Sequence, residues 1–206
     1  MTICLVGSEM CIRDRAWHRD PGLVKPTPII LIGLRAAGKT TLGRELAEGL
    51  QVAFQDLDDL ALTQSGAESV AEVFAQSGEP AWRRAEQEAF AIWLASPSAV
   101  LACGGGAPCI PEVRASMQGS GACVVYLHAA VDALVARRER QDRDRPALFG
   151  SGGLREEVLR TYVERDPVFR DLARHVVEVD VQQPSDSLTS LTTIFKKECL
   201  GDEPTS

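Results

Sequence analysis

Gly33-Leu34-Arg35-Ala36-Ala37-Gly38-Lys39-Thr40 constrains this 206-residue chain more than any other segment. It lies between a short apolar run, Pro28 to Ile32, and a stretch of helical period, Thr40 to Leu50. Glycines at both ends let the backbone curl so that successive amides point inward at an anion. The positive end of the following helix adds to that field. Lys39 supplies a cation for the β- and γ-phosphates of a nucleotide, and the Thr40 hydroxyl can ligate Mg2+. The spacing alone recurs by chance as a helix-capping turn; the strand before it and the helix after it point to a phosphate cradle. Gly33, Ala36, Ala37, Gly38, Lys39, Thr40 and Thr41 are the candidate nucleotide-binding residues.

A loop of this kind demands a parallel sheet, and the rest of the chain offers one. Four further runs have strand character: Val52 to Gln55, Ala99 to Ala102, Cys123 to Leu127 and His175 to Val179. Between them lie stretches of helical period, Val70 to Gln76, Pro80 to Leu94, Ala130 to Arg140 and Leu154 to Leu172. A last helix is expected from Ser185, the candidate N-cap, to about Glu198. Alternation of this sort implies a mostly parallel sheet covered on both faces. Residues 27–200 are read as one domain, 201–206 as a disordered tail, and 1–26 as a segment outside the fold. That first segment has no sustained period and ends in the Lys25-Pro26-Thr27-Pro28 linker, and residues 4–14 resemble a translated sequencing adapter, so the first 15 or so residues are expected not to be native.

The net charge of -7 argues against a nucleic-acid or membrane-surface binder, so any positive field must be local. No apolar run is long enough to span a bilayer and the start lacks the order of a secretory signal, which points to a cytoplasmic protein. The six cysteines form no close CxxC pair, and are expected to be free thiols rather than zinc ligands.

Several segments add candidates for chemistry. Asp56-Leu57-Asp58-Asp59 follows the second strand at its carboxyl end, where ligands gather in open α/β sheets. In extended chain Asp56 and Asp58 share a side, so one can hold Mg2+ through water while the other meets a substrate hydroxyl. Solvated acids capping the next helix are the plain alternative, and Asp59 suits it best. Arg83 and Glu86, three apart after Trp82, share a helix face and could form an ordinary surface pair. Gly104-Gly105-Gly106 after the third strand suits either a close ligand or a tight turn. The run Arg137 to Arg145, followed by Pro146 and glycines, reads as a solvated helix end or as a mobile flap carrying a guanidinium to a phosphate. Pro167 is expected to break a helix and leave Arg165 pointing inward.

Taken in this order, the motifs resemble the shikimate kinase family of P-loop enzymes. The resemblance rests on GLRAAGKTT, on Phe54, Asp56 and Asp58, and on Trp82, Arg83 and Glu86. It continues with the triple glycine, with Arg145-Pro146, and with Arg165 and Pro167. It implies a three-layer P-loop fold with a five-stranded parallel sheet in the order 2-3-1-4-5 and a mobile lid. It also implies an ATP-dependent transfer to the 3-hydroxyl of shikimate, with Mg2+ as cofactor, in a monomer without nucleic-acid or membrane partners. The matching positions then take roles. Lys39, Asp58 and Arg145 would be catalytic, Thr40 and Asp56 would hold the metal, and Arg138, Arg145 and Gln182 would serve ATP. Asp58, Arg83, Arg165, Gly104, Gly105 and Gly106 would bind shikimate, with Phe74 and Trp82 walling its ring. Departures are Trp82 for the usual Phe, Val168-Phe169 for a Leu-Tyr pair, and Gln182 where relatives often carry Arg. A ligand-sensing domain of the same ancestry and another small-molecule kinase, such as a gluconate kinase, are the alternatives.

Overall fold

The computed structural model describes residues 27–141, 153–180 and 183–200. The expectations for Arg145, the flap around it, Gln182, the N-terminal segment and the tail therefore lie outside the described residues.

Five strands form one sheet: β1 (Ile29–Ile32), β2 (Phe54–Asp56), β3 (Val100–Ala102), β4 (Cys123–His128) and β5 (His175–Glu178). Their order is β2-β3-β1-β4-β5 and every pairing is parallel, as expected. Ile29, Ile30, Leu31 and Ile32 are all fully buried. That is why β1 reads as a continuous apolar run: a central strand of a parallel sheet has no solvent face to alternate with.

The helices are α1 (Lys39–Leu50), α2 (Leu57–Ser65), α3 (Val70–Ala95), α4 (Pro111–Gly119), α5 (Val131–Gln141), α6 (Leu154–Leu172) and α7 (Pro184–Cys199). α1 packs on α7 and on β2 and β3, whereas α6 packs on β4, α4 and α5. Trp93, Tyr126, Phe90, Phe169 and Phe195 are the largest fully buried side chains. The indole N–H of Trp93 donates to Ser98 Oγ at 3.0 Å, and that hydroxyl donates to the Val100 carbonyl at 3.1 Å, so the ring is buried without stranding its polar edge.

The structure departs from the sequence reading in three places. α2 and α4 were not anticipated; each is nine residues long, α2 opening among acids and α4 on a proline. The expected helices 70–76 and 80–94 are both present; they follow one another through non-helical backbone at Gly78 (φ 75°, ψ 171°) as the two arms of α3, with Pro80 in the first turn beyond the kink, where no amide partner is lost. α6 runs straight through Pro167 rather than breaking there. The carbonyl that loses its partner belongs to Val163, a residue 64% exposed, where water can replace the bond. Finally α7 starts at Pro184, with Gln183 rather than Ser185 at the N-cap, because proline at the first helical position is pre-set for the turn.

Candidate active site

The parallel order brings the carboxyl ends of β1, β2 and β3 side by side, and each releases one wall of the site. From β1 comes the phosphate loop. Gly33 has φ 148°, and a Cβ there would stand 2.6 Å from the Leu127 carbonyl oxygen, so only glycine lets the loop leave the sheet between its neighbours. Ala36 and Gly38 are left-handed, and Gly38 caps α1 with no side-chain acceptor for the first-turn amides. Those amides, which include Lys39 and Thr40, are the donors an anion would satisfy. Lys39 Nζ lies across the loop and donates to the carbonyls of Gly33 and Leu34, each at 3.0 Å. Burial lowers the pKa of this amine, while Asp58 and Asp56 pull it back up.

From β2 comes the acidic wall. Asp56, the last residue of the strand, is the N-cap of α2: its Oδ1 accepts from the Asp58 amide at 3.0 Å. Its Oδ2 accepts from the Thr40 hydroxyl at 2.7 Å. The capping role therefore belongs to Asp56 and not to Asp59, which lies 3.9 Å from the Arg44 guanidinium on the surface. Asp58 faces the same side as expected, but through the first helical turn rather than extended chain. Its Oδ1 is buried with no hydrogen-bond partner. Burial, and then the neighbouring Asp56, push this carboxyl up to about 6, against the opposing charges of Lys39 and Arg83.

From β3 comes the triple-glycine turn, packed between the other two walls. A Cβ at Gly104 would strike Asp58 and come within 2.9 Å of Glu86 Oε1; one at Gly105 would lie 3.3 Å from the Gly33 carbonyl; one at Gly106 would overlap the Arg83 guanidinium. The glycines are thus a close-approach surface joining the phosphate loop, the acids and the arginines, and not merely a turn.

Arg83 enters from α3 in a rigid setting. Its Nη1 reaches Glu86 Oε2 at 2.6 Å, and its Nε and Nη2 reach Glu79 Oε1 at 3.1 and 2.6 Å. Glu86 is 1% exposed, and burial holds its carboxyl up to about 7 despite Arg83. So the Arg83–Glu86 pair is internal, unlike an ordinary surface bridge. Arg165 enters from α6 and donates from Nη1 to the Gly105 carbonyl at 2.8 Å. α6 is held there by Asp166, which accepts from Tyr126 Oη at 3.0 Å and from Arg170 Nε at 2.9 Å. Arg83, Arg165 and Gly106 line a cavity of about 520 Å³ together with Arg114. Three guanidinium groups against the carboxylates of Glu79 and Glu164 give this cavity a local excess of positive charge within a chain of net charge -7.

A match to the sequence profile described as Shikimate kinase spans residues 35–196. The chain belongs to the shikimate kinase family. It is 41% identical over 157 residues to the shikimate kinase of Pseudomonas entomophila (strain L48), covering 76% of this chain and 88% of that one. To shikimate kinase 2 of Enterobacter sp. (strain 638) it is 36% identical over 176 residues, covering 84% and 98%. Among solved structures, the shikimate kinase from Acinetobacter baumannii in complex with shikimate matches with a TM-score of 0.73 and 30% identity, over 82% of this chain and 92% of that one. The family and the fold expected from the motifs both stand.

Lys39, Thr40, Asp56, Asp58, Arg83, Gly104, Gly105, Gly106 and Arg165 come together within one site. One other candidate behaves differently. Arg138 is buried and pairs with Glu157 Oε1 at 2.9 Å. Its neighbour Arg137, not singled out from the sequence, donates to the Ala36 carbonyl of the phosphate loop at 3.3 Å and to the Val179 carbonyl. Arg114 was also missed, because it lies on the unanticipated α4. Glu79 was missed too, although its i, i+4 spacing to Arg83 was a readable signal. Trp82 is buried and Phe74 is 38% exposed.

Proposed function

We propose that the protein transfers the γ-phosphoryl group of ATP to the 3-hydroxyl of shikimate, giving shikimate 3-phosphate and ADP. One observation carries this reading beyond family membership. Asp58 holds a buried, unpartnered carboxylate oxygen beside the phosphate loop and among the charges of both Lys39 and Arg83. A costly group of that kind is expected where a hydroxyl must be bound and its proton accepted.

In this reading the shikimate carboxylate enters the cavity, where the forks of Arg83 and Arg165 receive it and Gly104, Gly105 and Gly106 allow close approach. Asp58 orients the attacking hydroxyl and accepts its proton as the new O–P bond forms. The bond from the γ-phosphorus to the bridging oxygen breaks, and ADP leaves. Lys39 and the amides of Gly33 to Thr41 neutralise charge on the phosphates. Positioning and neutralisation supply most of the catalysis in phosphoryl transfer.

Mg2+ suits the donor set: the Thr40 hydroxyl and the Asp56 carboxylate, 2.7 Å apart, are hard oxygens at the phosphate loop. These two residues would hold it, Asp56 through water, and the ion would supply charge neutralisation for the phosphates. Arg145, Arg138 and Gln182 complete the reading by their matching positions: Arg145 on the γ-phosphate, Arg138 and Gln182 towards the adenine. We read the enzyme as a cytoplasmic monomer with no nucleic-acid or membrane partner. Its charge supports the last point, and no described helix is long and apolar enough to cross a membrane.

The test is a coupled ADP-release assay with MgATP over a panel of hydroxy acids. Shikimate should stimulate release and yield the 3-phosphate. Stimulation by gluconate instead, or by no acid tested, would overturn the reading.

A further inference from the structure

The opposite, amino end of the sheet holds a second group of chemistry-bearing side chains. Cys123 opens β4 and His175 opens β5. His175 is in register with Val125, two residues after Cys123, so the cysteine and the histidine project from the same face of the sheet. α7, packed on β5, brings its last turn to this end, where the Cys199 carbonyl accepts from the Thr27 amide at 3.1 Å. Glu198 is delivered beside the other two. One ligand atom from each of Cys123, His175 and Glu198 lies within 4.8 Å of the others.

We propose that Cys123, His175 and Glu198 form a site for a borderline-soft divalent cation, zinc being the ion of matching chemistry. The donor set decides the class. A thiolate, an imidazole nitrogen and a carboxylate oxygen suit zinc, whereas the all-oxygen Thr40–Asp56 pair suits magnesium. In a tetrahedral site with ordinary zinc bond lengths, ligand atoms stand roughly 3.3–3.8 Å apart. The triad therefore needs to close by about 1.5 Å at most, within the reach of small side-chain rotations. His175 and Glu198 already meet, Nε2 to Oε1, at 3.1 Å. The other oxygen of Glu198 is held by Arg174 Nε at 3.1 Å, which leaves one oxygen for a metal and orients it.

Burial fits the same use. Cys123 is 1% exposed and the Glu198 side chain 12%, while the His175 side chain is 28% exposed and opens the group to solvent. Three protein ligands with one open side leave the fourth position to water. The ligands are 52 and 23 residues apart in sequence, so no spacing motif announces them. A bound ion would tie β4, β5 and α7 together at the pole opposite the phosphate loop. Its effect is then on stability, with the thiol proton released on binding.

The experiment uses the full chain, stripped with a chelator and dialysed against Zn2+ or Co2+, with metal content, cobalt absorption and melting temperature as readouts. The wild type should bind one zinc ion per chain, show a thiolate-to-cobalt charge-transfer band, and melt higher with zinc. Cys123→Ser and His175→Gln should lose all three effects, and Cys199→Ala should keep them. His175→Gln touches a part-exposed residue, so it decides the matter if Cys123→Ser fails to fold. Failure of the wild type to bind zinc, or full retention in either ligand variant, would overturn the proposal.

Discussion

Replacing Asp58 with asparagine should make the protein more stable and nearly inactive. The fold raises this carboxyl from 3.8 to about 6, chiefly through burial and then through Asp56. A raised acid means that the native state binds more protons than the unfolded chain between those two values. Stability contributed by Asp58 is therefore greatest below about pH 4, falls as pH rises towards about 6, and stays at the lower level above it. About two pH units at 1.36 kcal/mol each is roughly 3 kcal/mol, with the opposing attraction of Lys39 and Arg83 already subtracted. Asparagine keeps the shape without the charge, so Asp58→Asn should gain on the order of 2–3 kcal/mol at pH 8 and almost nothing at pH 4. Its kcat should fall by roughly two to four orders of magnitude, with shikimate binding changed less. Urea unfolding of the substrate-free protein at both pH values measures the first effect, and steady-state kinetics the second. In the wild type kcat/KM should lose activity as pH drops through about 6. A pH-independent stability gain, or a variant no more stable at pH 8, would refute the electrostatic account of Asp58.

Other perturbations separate the walls of the site. Arg83→Ala should raise the KM for shikimate more than it lowers kcat, and should cost about 1–3 kcal/mol in urea unfolding because Glu86 is left buried alone. A larger loss in kcat than in KM would reverse the roles given to Arg83 and Asp58. Gly106→Ala places a methyl group on the Arg83 guanidinium, so it should raise the same KM and lower the melting temperature by no more than Arg83→Ala does; an unchanged KM would separate the glycine turn from the carboxylate clamp. Thr40→Val removes the hydroxyl that meets Asp56, and should raise the Mg2+ concentration needed for half-maximal rate. A chain starting at Lys25 should match the full chain in rate and melting temperature, since among the described residues the first tie to the domain is the Thr27 amide on Cys199.

What the sequence disclosed depends on whether the chemistry is local or assembled. The phosphate loop was legible because its strand, glycines, lysine and helix are contiguous, and Arg83–Glu86 because one helix carries both. The sheet order followed from the family resemblance, and the continuous apolar run of β1 agrees with its central place. The helix cap was misassigned to Asp59: the bond from Asp56 to the Asp58 amide depends on α2 starting at once after β2, and a short helix opening on acids shows no apolar period. Arg114 stayed hidden with α4 for the same reason. Pro167 misled because the local rule for proline ignores whether the freed carbonyl can reach water. The depth of Glu86, 1% exposed, could not be read at all, since burial is a property of the packed helices and not of the residue type.

Parallel topology also explains why this protein can place two unlike clusters without conflict. In a parallel sheet every strand ends at one edge, so the loops after β1, β2 and β3 meet there and supply an anion cradle, acids and arginines. The strands all begin at the other edge, where helices return, and there Cys123, His175 and Glu198 meet. The active-site edge mixes carboxyls raised by burial with a lysine lowered by it, an arrangement that favours anionic substrates over an empty site. At the far edge burial, and then Glu198, push the Cys123 thiol up, so that it rests neutral until a cation displaces its proton. Substitutions that remove the charge of Lys39 or Asp58 should therefore trade stability against turnover, whereas those at Cys123 or His175 should move melting temperature and leave kcat alone. A variant at the far edge that changed kcat at saturating substrate would show that the sheet couples its two ends, and would refute this division.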